Sequence, residues 1–164
     1  MYTDRLLVVS GSNNPGSAIT GQGPITASAN STDVISLATV TTAVANNGGA
    51  RDIGEGADLF MVFTVVVGFA GTGTVEMAVV TDDNESLTSP TIIASTGGIA
   101  VASLTAGAQY VVSIPPLVAS KGEQYIAARY VTTSSPTTGT ILAQIVSNLQ
   151  DGRKFYPSGF TTAI

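Results

Sequence analysis

Residues 59–80 read LFMVFTVVVGFAGTGTVEMAVV, and their pattern decides the fold class. In the first arm Leu59, Met61, Phe63, Val65, Val67 and Phe69 alternate with Phe60, Val62, Thr64 and Val66. Side chains of a strand point to opposite faces with a period of two. Both faces of this arm are therefore apolar, as in a strand covered on two sides. The second arm alternates more cleanly, with Val75, Met77 and Val79 on one face and Thr74, Glu76 and Ala78 on the other. Ala70-Gly71-Thr72-Gly73 reads as the turn between them, and the two arms read as adjacent strands of one buried sheet.

The same two-residue period recurs outward from this pair. Residues 33–40 (DVISLATV) predict a strand, and residues 91–95 a short one broken by Gly97-Gly98. Residues 108–114 alternate until Pro115-Pro116, which ends the ladder because proline has no N–H to donate. Residues 124–133 predict a strand with Ile126, Ala128 and Tyr130 inward and Arg129 outward. Residues 140–147 return with Ile141, Ala143 and Ile145 on one face. No long segment carries a helical period. About eight short strands separated by turn signals predict an all-β, jelly-roll-like antiparallel sandwich. Three regions follow: an N-terminal arm at 1–32, the sandwich at 33–147 and a C-terminal tail at 148–164. Residues 17–31, rich in Gly, Ser, Thr and Ala, read as an extended segment that orders only when docked.

Composition narrows the chemistry. Charged residues make up 10% of the chain, against about 25% in an ordinary soluble domain. A surface so poor in charge resists association weakly, which predicts that partners cover part of it. Six Lys and Arg against eleven Asp and Glu is a poor footprint for nucleic acid. The uncharged run from Leu59 to Val75 is short for a membrane helix and is broken by Gly-Thr-Gly, so no membrane span is expected. Cysteine and histidine are both absent, which removes Cys–His nucleophiles, Ser–His–Asp triads and zinc fingers together.

The remaining candidates are carboxylates. Asp82-Asp83-Asn84-Glu85 offers clustered oxygens for calcium but lacks the spacing of an EF-hand loop, and a solvated hairpin tip is the plainer reading. Asp52, Glu55 and Asp58 sit in a Gly-rich loop beside Arg51, where solvated charges are again the plainer reading. Gly71-Thr72-Gly73 is too short for a phosphate loop. No catalytic residue, metal site or cofactor is expected.

Several stretches together resemble a known family. They are Ser31-Thr32-Asp33-Val34-Ile35, Arg51-Asp52-Ile53-Gly54-Glu55-Gly56 before Leu59, the Gly-Thr-Gly turn, and Thr81-Asp82-Asp83-Asn84-Glu85 running to Ser89-Pro90. Residues 104–107 and 125–130 add to the match. The pattern is similar to the small cement, or decoration, proteins of tailed-phage capsids of the Bordetella-podophage type, over residues 31–147. What the resemblance implies is a jelly-roll sandwich that trimerises on the outer surface of an icosahedral capsid. Its partners would be the major capsid protein and its own copies, with no nucleic acid and no membrane. Neighbouring capsomers would be clamped against the pressure of packaged DNA. The two termini are then the expected contacting elements, with Tyr2, Arg5, Arg153, Phe155, Tyr156 and Phe160 as anchors. A carbohydrate-binding or adhesin-like module is the rival reading. Sugar sites usually present an aromatic platform, and this chain has no Trp.

Overall fold

The computed structural model describes residues 7–13, 17–37, 58–115 and 124–147. These form nine strands: β1 (Val8–Ser10), β2 (Ala29–Asn30), β3 (Ile35–Ser36), β4 (Leu59–Ala70), β5 (Thr74–Asp82), β6 (Thr91–Ala100), β7 (Gln109–Ile114), β8 (Tyr125–Thr132) and β9 (Thr138–Val146). One sheet has the order β1-β9-β4-β7 and the other β2-β8-β5-β6, with β3 also on β8. Every pairing is antiparallel. Two facing sheets, of four and five strands, in this interleaved order are a jelly roll. Among the described residues no helix is long and apolar enough to cross a membrane.

The central stretch departs from its sequence reading first in how its strands pair. β4 and β5 are strands, but they are not neighbours in a sheet: β4 lies between β9 and β7, and β5 between β8 and β6. The link Gly71-Thr72-Gly73 carries the chain from one layer to the other, with φ of 116° at Gly71 and 91° at Gly73. Such values favour glycine, which has no Cβ to clash. A period of two identifies which side chains face the core. It does not identify which strand lies alongside, so an inter-sheet arch and a hairpin look alike in sequence.

A second departure lies within β4. Its register against β9 slips between Val65 and Val67 and again before Ala70. An inserted residue turns every later side chain relative to the regular alternation. Val67 is therefore 49% exposed, although Met61, Phe63 and Val65, with which it was grouped, are fully buried. In β6, Gly97-Gly98 does not end the strand. Gly97 adopts φ of 68°, Thr96 Oγ1 accepts the Met77 N–H, and pairing with β5 continues to Ala100. Of residues 33–40, Ile35 and Ser36 pair with β8, Leu37 donates its N–H to Gln124 O, and residues 38–40 lie outside the described set.

The core between the sheets takes Met61, Phe63 and Val65 from β4, Val75, Met77 and Val79 from β5, Ile126, Ala128 and Tyr130 from β8, and Ile141, Ala143 and Ile145 from β9. The rings of Phe63 and Tyr130 meet edge to face with centroids 6.2 Å apart. Such a pair contributes about 0.5–1.5 kcal/mol beyond its buried area. Within the stretch read as an N-terminal arm, Val9 and Ile25 also enter this core. β1 and β2 each join a sheet. What that segment docks on, where described, is its own sandwich.

Candidate interaction surfaces

Glycines let the N-terminal segment approach closely. A Cβ on Gly21 would fall 2.7 Å from Ile141 N, and one on Gly11 would overlap Thr20 O. Gln22 exchanges both backbone hydrogen bonds with Ile141, at 2.8 and 3.1 Å, extending the edge begun by β1. Its side chain is a polar hub. Gln22 Oε1 accepts from Ser10 Oγ at 2.7 Å and from the Thr32 N–H at 2.8 Å, while Nε2 donates to Asn30 O at 2.8 Å. The chain of bonds continues inward, because buried Tyr130 Oη donates to Ser10 Oγ. It also continues outward: Arg129 donates to Asn30 Oδ1, and Asn30 Nδ2 to Leu87 O. Sequence reading missed Gln22, since one glutamine in a Gly/Thr-rich stretch carries no periodicity.

The acidic loop after β5 is built from within. Asp82 is 3% exposed. Its Oδ1 accepts the Asn84 N–H at 3.0 Å and its Oδ2 the Ser89 N–H at 2.9 Å. The Ser89 N–H holds the carboxyl below the usual aspartate range against the opposing push of burial, with the Asn84 N–H adding to it. Thus clamped, the loop sets Leu87, at φ of 50°, over Ala78, Val80 and Ala127 on the outer face of the second sheet. Asp83, Asn84 and Glu85 are exposed, as a hairpin tip predicts, but Asp82 is a structural acceptor for the loop. Among the described residues no group of three carboxylates is placed to hold a metal ion. Asp58 is exposed, and Asp52 and Glu55 lie outside the described residues. An open cleft of about 420 Å³ separates residues 11–13 from 33–35, and Asp33 is the one titratable group in its described lining. Acid–base chemistry of the paired-carboxylate kind needs two.

The six expected anchors, Tyr2, Arg5, Arg153, Phe155, Tyr156 and Phe160, all lie outside the described residues. The structure does fix where their segments attach. Val8 in β1 pairs with Gln144 in β9, and the two strands run antiparallel. The chain therefore enters β1 and leaves β9 at the same end of the first sheet, on neighbouring strands.

The sheet edges differ in how they meet solvent. β1, β2 and β3 are two or three residues long. β6 has ten residues, but its register slips twice against β5, and bulges of this kind blunt an edge. β7 alone pairs with its neighbour β4 through six successive positions without a slip.

The described residues thus form an antiparallel jelly roll with short or bulged edges and one regular edge. A family model, Bbp16, matches residues 19–145, which is most of the chain and nearly all of the sandwich. The chain belongs to the Bbp16 family, whose name points to a Bordetella bacteriophage protein. No curated protein matches it.

Proposed function

We propose that the chain is a capsid cement protein of a tailed phage. It binds the outer surface of the icosahedral capsid as a homotrimer and holds neighbouring capsomers together through contacts with the major capsid protein. It carries out no catalysis. The observation that carries this reading is the Bbp16 match lying over nearly all of a jelly roll. The sparse charge supports it, since a chain with 10% charged residues has few charges to keep its surface from protein contact. The antiparallel pairing of β1 with β9 also fits it, since the chain enters the one and leaves the other at the same end of the sheet. Repeating a modest contact around a symmetry axis gives avidity well beyond one site.

The test is co-sedimentation of the purified chain with full capsids, with mass measurement of the free protein. A fixed ratio to the major capsid protein and a higher bursting threshold for decorated particles are expected. Failure to bind capsids while binding glycans would favour the adhesin-like reading instead.

A further inference from the structure

Sheet edges decide where another strand can be added, and β7 is the edge left regular. It carries Gln109, Tyr110, Val111, Val112, Ser113 and Ile114, with no charge and no proline within it. Natural edges are usually protected by length, charge, proline or bulges. The bonding phase follows from its start. Val65 donates its N–H to Ala108 O at 2.9 Å, and Gly107 donates to Val65 O at 2.8 Å. Bonded positions alternate along an antiparallel pair. Tyr110, Val112 and Ile114 therefore turn their backbone groups toward β4, while Gln109, Val111 and Ser113 turn theirs outward. Among the described residues no backbone group pairs with these three.

We propose that the β7 edge accepts residues 160–164 of a second copy of this chain as an added strand. The segment Phe160-Thr161-Thr162-Ala163-Ile164 is uncharged and rich in strand-forming residues. It matches the edge in length and in lack of charge, whereas residues 1–6 carry Asp4 and Arg5. Residues 148–159 form the tether from the end of β9, able to span up to about 40 Å when extended. Within one chain β9 ends one strand away from β7, since Phe60 pairs with both Val146 and Ser113. Each chain then offers one donor segment and one acceptor edge, the inventory of a head-to-tail contact that closes into a ring. The choice of a second copy over the chain's own edge rests on the trimer proposed above.

The experiment uses an isotope-labelled chain ending at Gly159, which keeps β7 but cannot donate, mixed with unlabelled full-length chain. Amide exchange at Val111 and Ser113 of the labelled chain should slow at least about tenfold on mixing, as pairing protects an exposed amide. Ser113→Pro in the labelled chain removes one outward donor at an exposed position, and protection at Val111 should then be lost. No slowing on mixing overturns the proposal. So does slow exchange at these amides in full-length chain dilute enough to be monomeric, because the chain's own tail would then occupy the edge. Capsid co-sedimentation on the same samples is scored separately: absent pairing with retained capsid binding removes this inference and leaves the cement role standing.

Discussion

Tyr130 Oη donates a 2.7 Å hydrogen bond to Ser10 Oγ, and so the second sheet holds the first strand of the opposite sheet. Burial pushes the phenol well above the ordinary tyrosine value of 10.0. The unfolded chain ionises at that ordinary value and the folded one does not. The stability this group contributes is therefore complete below about pH 10 and lost as pH rises beyond it. Tyr130→Phe should cost about 0.5–1.5 kcal/mol at neutral pH, the usual worth of one such bond. It should also flatten the alkaline fall. Urea midpoints of both proteins at pH 8 and pH 11 check this; equal slopes would count against it.

Asp82 gives the opposite sign. Its carboxyl is held below the ordinary value of 3.8, chiefly by the Ser89 N–H. The stability it contributes is present above that value and lost as pH falls through the lowered one. Asp82→Asn replaces one acceptor oxygen by a donor, so one of the two clamped N–H groups loses its partner. Amide exchange at Asn84 and Ser89 should accelerate, Leu87 should leave its seat, and acid sensitivity should diminish. Unchanged exchange at both amides would refute the clamp.

Phe69 lies flat against Gly139, and a Cβ added there would fall 2.4 Å from its ring atoms. Gly139 also has φ of 125°, where side chains are strained. Gly139→Ala should therefore destabilise by about 1–3 kcal/mol from strained backbone, with steric overlap in addition. Pairing it with Phe69→Leu should recover the steric share alone. Denaturant melts of the two single variants and the double separate the shares.

Gln144 Oε1 is buried with no hydrogen-bond partner, the one such side-chain atom among the described residues. An unpaired buried polar atom costs about 1–3 kcal/mol. Gln144→Met keeps the length and removes that cost, so it should be neutral or stabilising. A clear loss in thermal midpoint would show that Gln144 has a partner in solution.

How much of this was legible in the sequence depends on what a pattern encodes. Ile126, Ala128 and Tyr130, and likewise Ile141, Ala143 and Ile145, lie inward as their alternation required, because burial acts on each side chain separately. The passage of the chain between sheets after Ala70 was not legible, since strand neighbours are chosen by the whole core. The exposure of Val67 depends on a bulge that apolar alternation hides. Asp82 looked like its acidic neighbours. Only the fold shows that its oxygens face backbone N–H groups and not water. The Gln22 hub joins residues 10, 22, 30 and 32, a spacing no local motif describes.

The last strand among the described residues, β9, lies in the middle of its sheet, between β1 and β4. Val8, near the start of the described residues, pairs with Gln144, near their end. Non-local pairing of this kind is slow, because loop closure precedes the contacts that reward it. Until residues 138–146 are in place, that layer therefore has no centre.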